Sequence, residues 1–172
     1  GARASALSSW FPDAMTRLIE QNTQPAIWLN LKRDCDCVYP DDAALGRQAT
    51  QRLLAAGHRR IIYADWGAGW KQFHRAHYSQ RDRQAGYEQA MKQAGLTPHP
   101  IRREDSDVPT SPAEFMAVLG DLYARRERPT GLVTYSPDFA RPGVVAAQQR
   151  QLRVPQELSV VTLVGGSPPM QD

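Results

Sequence analysis

The most regular stretch of this chain follows Asp41 and Asp42, where Leu45, Ala49, Leu53 and Ala56 recur at helical spacing and Gly57 closes the run. A short carboxylate caps a helix start, and a glycine takes the left-handed conformation that ends one. His58-Arg59-Arg60 then leads into Ile61-Ile62-Tyr63-Ala64, a short apolar run of the buried-strand type. The pattern therefore predicts a helix feeding a strand, and it recurs on both sides. Upstream, Phe11, Met15, Leu18 and Ile19 form a stripe ending near Asn22, and the next strand is expected over Pro25 to Asn30. Downstream, Tyr87, Ala90, Met91 and Ala94 share a helix face closed by Gly95, with a weaker strand near Pro100 to Arg103.

Ser111-Pro112-Ala113-Glu114 has the spacing of a capping box with proline in the first helical position, and Phe115, Val118, Leu119 and Leu122 follow as the apolar stripe. Beyond Pro129-Thr130 come a strand over Gly131 to Tyr135, a helix around Gly143 to Gln151, and a strand over Leu158 to Val164. Strands separated by single helices need crossover connections, so the expected fold is α/β, with mostly parallel sheets flanked by helices. Residues 67–78, rich in Gly, His and aromatics, break the rhythm and are expected to cross between two lobes. The resulting division is a partial first lobe over 1–66, the crossover, a second lobe over 79–164, and the start of a return segment over 165–172. A cleft at such a junction is a common place for a small ligand.

Composition narrows the class without changing the layout. With 41% hydrophobic and 23% charged residues in 172, the chain reads as an ordinary globular domain. No apolar run approaches the roughly 20 residues that span a bilayer, so no membrane contact is expected. Cys35 and Cys37 are too few and too close for a disulfide framework, and with no clustered ligands they read as two loop thiols rather than a zinc site. The net charge of +3 is spread over short groups such as His58-Arg59-Arg60, Arg102-Arg103 and Arg125-Arg126, mostly just past helix ends, where cations oppose the helix dipole. It is read as solvated surface rather than a nucleic-acid face.

Several segments, taken in order, resemble the effector-binding core of the lactose/galactose repressor family. Pro25-Ala26-Ile27-Trp28-Leu29-Asn30 is similar to its strand ending in Asp or Asn; Asp41-Asp42, Gly46-Arg47, Leu53-Leu54 and Ala56-Gly57-His58-Arg59-Arg60-Ile61 resemble its long helix, Gly-His turn and strand. Arg83 stands three residues before Gly86-Tyr87 as in the family, followed by Ala94-Gly95-Leu96. Arg128-Pro129-Thr130-Gly131 and Leu152-Arg153-Val154-Pro155-Gln156-Glu157-Leu158-Ser159-Val160-Val161 resemble its closing pattern. The resemblance implies a two-lobed, periplasmic-binding-protein-like type I fold with ligand held between the lobes. It also implies an incomplete first lobe, a helix-turn-helix head absent from this chain, and a homodimer acting on operator DNA in the cytoplasm.

Arg83 is the leading ligand-binding candidate: it lies one helical turn before Tyr87, a guanidinium holds two oxygens in a fixed fork, and the family's matching arginine grips effector. Its alternative is a surface arginine beside a carboxylate such as Asp82. Asn30 matches a polar cleft position or is a turn residue. Asp65, Trp66 and Trp70 fall at a strand end and in the crossover, where indoles stack on sugar rings or simply pack, and Ser79 is a candidate of the same kind. Where the family carries Asn-Asp, this chain has Ser136-Pro137-Asp138, and Asp138 either replaces the carboxylate or caps a turn. The family's later acidic pair is replaced by Thr162-Leu163-Val164-Gly165-Gly166, which points to a different or anionic effector, or to weakened binding.

The expected function is sensing of a sugar or related metabolite, with ligand changing the angle between lobes and so controlling DNA binding through the absent head. Rival readings are a periplasmic solute-binding protein of a transporter and a sensor fused to another DNA-binding class. No Gly-x-Ser-x-Gly, phosphate-loop, His-Glu-x-x-His or dinucleotide motif is present, and Pro168-Pro169 prevents a helix directly after Gly165-Gly166-Ser167, so neither an enzyme nor a cofactor is expected.

Overall fold

The computed structural model describes residues 36–69, 77–103 and 111–164, together with Arg17, Gln21, residues 27–30 and Lys32. The upstream stripe from Phe11 to Ile19, the residues around Trp70, Cys35 and the segment from Gly165 onward lie outside them.

Two short strands, β1 (Trp28–Leu29) and β2 (Cys37–Val38), pair in parallel, Trp28 opposite Cys37. Cys37, expected in a loop, is thus in a strand. The elements that follow are α1 (Asp42–Ala55), β3 (Ile61–Gly69), α2 (Tyr78–Gln93), β4 (His99–Arg103), α3 (Pro112–Tyr123), β5 (Gly131–Thr134), α4 (Pro137–Gln149) and β6 (Ser159–Thr162). Strands β3 to β6 form one parallel sheet in the order β4-β3-β5-β6.

That order corrects the expected lobe boundary. β3 lies between β4 and β5, with Ile61 opposite Gly131 and Ala64 opposite Thr134. Residues 42–66 therefore belong to the same sheet and core as 79–164, and the strand continues to Gly69 through the first part of the expected crossover. β1 and β2 form a separate two-stranded sheet. The misreading has a physical cause: an apolar run reports that a strand is buried on both faces, but not which sheet it joins.

Alternate side chains of each strand serve opposite layers. Ile61, Tyr63 and Val133 pack beneath α1 and α2 with Leu53, Tyr87 and Met91, whereas Ile62, Ala64 and Leu132 pack beneath α3 and α4 with Phe115, Leu119 and Ala147. Helix ends follow their sequences. In α1, Asp41 accepts from Ala44 N–H at 2.9 Å; at its other end His58 N–H donates to Leu53 O at 3.1 Å and Gly57 N–H to Leu54 O at 3.0 Å. These two bonds form a Schellman turn around Gly57 at φ 90°. The cap of α3 is also as expected, with Ser111 Oγ accepting from Glu114 N–H at 3.1 Å.

Two expectations about helix faces and lengths shift. α1 buries Asp42, Gly46, Ala49, Thr50 and Leu53, a face rotated from the predicted stripe, because the helix packs on α2 as well as on the sheet. α4 begins at Pro137, well before the expected Gly143, since proline at the first helical position gives up no intrahelical bond.

Candidate functional site

The connection after β3 carries the chain to β4 on one side, and the chain returns to β5 on the other. The C-terminal ends of β3 and β5 therefore flank a topological switch point, the place where open α/β sheets form a crevice. Asp65 follows the last residue of β3 that pairs with β5, and Tyr135 and Ser136 follow β5, with Tyr135 N–H donating to Ala64 O at 3.0 Å. The N-terminal turns of α1 and α2 reach the same edge, as does the end of β1.

Arg83 lies near the centre of this group. Its Nε donates to Asp42 Oδ1 at 2.6 Å and its Nη1 to the Tyr135 carbonyl at 2.7 Å, while the guanidinium stands 4.7 Å from the centre of the Tyr135 ring. Asp42 is 1% exposed and Arg83 7%, so this is a buried ion pair in which each charge compensates the other's loss of water. The carboxylate partner anticipated from sequence, Asp82, instead receives Lys32 Nζ at 2.9 Å. Two adjacent aspartates thus have separate uses: Asp41 caps α1, and Asp42 points inward to hold Arg83.

Asn30, Asp65 and Ser79 also come to this edge. Ser79 N–H reaches His77 Nδ1 at 3.4 Å, which makes that nitrogen the acceptor and places the ring hydrogen on Nε2, where it faces the Asn30 carbonyl at 3.0 Å. Ser79 Oγ then donates to His77 Nδ1 at 2.8 Å and accepts from Tyr135 Oη at 2.9 Å. Asn30 holds the left-handed conformation at φ 58°, and its Oδ1 accepts from Tyr78 Oη at 3.0 Å. Burial, and after it the negative charge of Asp42, pushes the Tyr78 phenol up to about 12, which keeps it a hydroxyl donor at neutral pH. Asp65, 3% exposed, accepts from Gln80 Nε2 at 3.0 and 3.3 Å.

The remaining candidates separate. Ser136 is the half-buried N-cap residue of α4 and its side chain makes no capping bond. Asp138 is exposed in the first turn of α4, where its charge complements the helix dipole. The backbone of Trp66 continues β3, its side chain lies outside the described set, and Trp70 lies outside the described residues altogether. Sequence reasoning missed Asp42, His77, Tyr78, Gln80 and Tyr135 as members of the site. A signal existed for Asp42: one cap needs one aspartate, and the second stands four residues before Gly46 on the buried face.

The arrangement offers hydroxyl, amide, carboxylate and guanidinium groups converging from five segments, which suits hydrogen bonding to a polar small molecule. Among the described residues no cluster of His, Cys, Asp and Glu could hold a metal ion. A separate open groove of about 460 Å³ runs between α3 and α4, lined by Met116, Ala117, Gly120 and Arg150 among others. It has no comparable set of converging polar groups. No described helix is long and apolar enough to cross a membrane.

Comparison with known proteins bears on the same region. A model of the periplasmic binding protein-like domain matches residues 50–171. The HTH-type transcriptional regulator GntR of Escherichia coli K12 is 31% identical over 129 residues, covering 73% of this chain and 34% of that protein. The ribose operon repressor of Haemophilus influenzae is 30% identical over 140 residues, 78% of this chain and 38% of its own length. The crystal structure of a transcription regulator from Lactobacillus plantarum superposes with a TM-score of 0.66 at 25% identity, over 88% of this chain and 55% of that one. The chain thus spans little more than a third of the two curated relatives.

Proposed function

Since the chain belongs to the periplasmic binding protein-like domains of the lactose/galactose repressor family, we propose that it is the effector-sensing part of a bacterial transcription regulator. In this reading it takes a sugar or related polar metabolite at the edge between the four-stranded sheet and the β1–β2 pair. The observation that carries it is the convergence of Arg83, Ser79 and Asn30 at the switch point, tied into one network through Asp42, Tyr135, His77 and Tyr78, with Asp65 held beside it by Gln80. Ligand bound there touches groups on both sides of the edge. Its binding therefore biases their relative placement to the extent that it favours one arrangement over another.

Operator DNA would be engaged by a helix-turn-helix segment elsewhere in a longer protein, as a cytoplasmic homodimer. A transporter's solute-binding protein shares the fold, but the relatives reported above are transcription regulators. The test is calorimetric titration of the full-length protein with a panel of monosaccharides, sugar acids, sugar phosphates and nucleobases, comparing wild type with Ser79→Ala and Arg83→Lys. Lysine retains a cation near Asp42 but loses the fork, so it probes recognition with less damage than alanine. A ligand weakened by both variants, which also shifts operator affinity, supports the reading. A ligand indifferent to both overturns the site.

A further inference from the structure

Arg83 does not meet the cleft with an uncompensated charge. Its Nε is spent on Asp42 and one Nη1 hydrogen on the Tyr135 carbonyl, which among the described residues leaves three of its five donors for a ligand. The pair it forms with Asp42 is electrically neutral and almost wholly out of water. Asp65 places a further buried carboxylate just past the last residue of β3 that pairs with β5.

An anionic ligand at the remaining Arg83 donors would meet a guanidinium already paired with the Asp42 carboxylate, so part of its attraction is offset by that second charge. It would still have to give up its hydration. An uncharged polyhydroxylated ligand loses much less hydration free energy than an anion, and its hydroxyls find partners in the remaining guanidinium donors and in the Ser79 and Tyr78 oxygens as acceptors. The buried Tyr63 hydroxyl, unpartnered among the described residues, adds a neutral group beneath the same cluster. Burial is the main cause that raises its phenol well above the ordinary value, with the charge of Asp65 next, so it too stays protonated.

We infer that Asp42 is a specificity-determining residue: by holding Arg83 in a neutral buried pair it selects an uncharged sugar or polyol over sugar acids and sugar phosphates. This rests on the cleft reading above and, of the alternatives drawn from the lost acidic positions, favours a different, uncharged effector over an anionic one. Asp42 acts through Arg83 as a positioning residue, and it also sets the charge that a ligand meets.

Two measurements on the full-length protein test it. In the first, thermal unfolding is followed in inorganic phosphate and in chloride of matched ionic strength. Wild type is expected to show no phosphate-specific rise, Asp42→Asn to gain one, and Asp42→Asn/Arg83→Gln to lose it again. A phosphate-specific rise in wild type that Arg83→Gln abolishes overturns the inference, and this comparison stands even where Asp42→Asn does not fold. In the second, each neutral sugar is titrated beside its acid and its phosphate ester, glucose with gluconate and glucose 6-phosphate, ribose with ribose 5-phosphate. The neutral form is expected to bind about tenfold or more tightly in wild type, and that margin should narrow in Asp42→Asn. An anionic ligand that binds best and is lost in Arg83→Lys overturns the charge selection while leaving the site in place. A ligand of either charge indifferent to Arg83 and Ser79 overturns the site and the inference with it.

Discussion

Gly46 of α1 and Gly86 of α2 meet backbone to backbone. A Cβ on Gly46 would stand 1.9 Å from the Arg83 carbonyl oxygen, and one on Gly86 would stand 2.0 Å from the Ala43 carbonyl oxygen. Only glycine at both positions allows this approach. The approach sets the distance between Asp42, one turn before Gly46, and Arg83, three residues before Gly86. The geometry of the candidate site therefore depends on two residues that contribute no side chain to it.

Gly46→Ala and Gly86→Ala are each predicted to destabilise the protein by about 3 kcal/mol, because backbone cannot move aside as a flexible side chain does. Gly120→Ala is the control within a helix. Its Cβ would meet only the Arg150 side chain, at 3.5 Å, so the better helix propensity of alanine should stabilise by about 0.5–1 kcal/mol. Urea denaturation of the three variants checks the contrast, and equal losses at Gly46 and Gly120 would contradict it.

The Asp42–Arg83 pair makes a prediction of non-additivity. Removing either partner leaves a buried charge without its counterion, so Asp42→Ala or Arg83→Ala should each cost about 3–5 kcal/mol. The double variant should lose far less than the sum, because nothing charged remains stranded. A double-mutant cycle by chemical denaturation gives the coupling energy directly, and simple additivity would mean that the pair is not formed in solution.

Tyr87 fixes α2 over the sheet through one hydroxyl that serves two strands, donating to the Ile61 carbonyl at 2.9 Å and accepting from His99 N–H at 2.8 Å. Tyr87→Phe keeps the ring stacked near Tyr63 but leaves both backbone groups without this partner. The expected loss is about 1–3 kcal/mol. Amide hydrogen exchange at His99 should accelerate more than exchange in β5, whose ladder does not involve the hydroxyl; unchanged protection at His99 would refute the assignment.

Much of this architecture was legible because local signals were redundant. Gly57 and Gly95 each end a helix where a stripe stops, and Ser111 to Glu114 fixed the start of α3 before any contact was known. The assignment of β3 to a sheet was not legible, since the pairing of Ile61 with Gly131 joins residues 70 positions apart and no local pattern encodes it. The site divides in the same way. Arg83, Asn30, Asp65 and Ser79 could be nominated singly from spacing and resemblance. Asp42 and Tyr135 could not be attached to Arg83, because one was already explained as a cap and the other bonds through its backbone carbonyl, which every residue possesses.

Glu157 ties together the loops that enter β5 and β6, and it supplies a pH-dependent prediction. Its carboxylate accepts from Arg153 N–H at 3.1 Å and Arg153 Nε at 3.0 Å, and from Arg128 Nη2 at 3.2 Å. These bonds, led by the Arg153 backbone N–H, hold its pKa below the ordinary carboxylate value. A carboxyl group whose folded pKa is depressed contributes stability that is fully present above its unfolded pKa and is lost as pH falls through the folded one. Glu157→Gln should therefore be less stable than wild type at neutral pH, and the two should converge on acidification below the usual carboxylate range. The contribution belongs to a half-buried group open to solvent screening, so it should also shrink in high salt. Denaturation midpoints of both proteins from neutral to acidic pH test the sign. A difference that grew on acidification would show that the carboxylate is not held by these arginine contacts in solution.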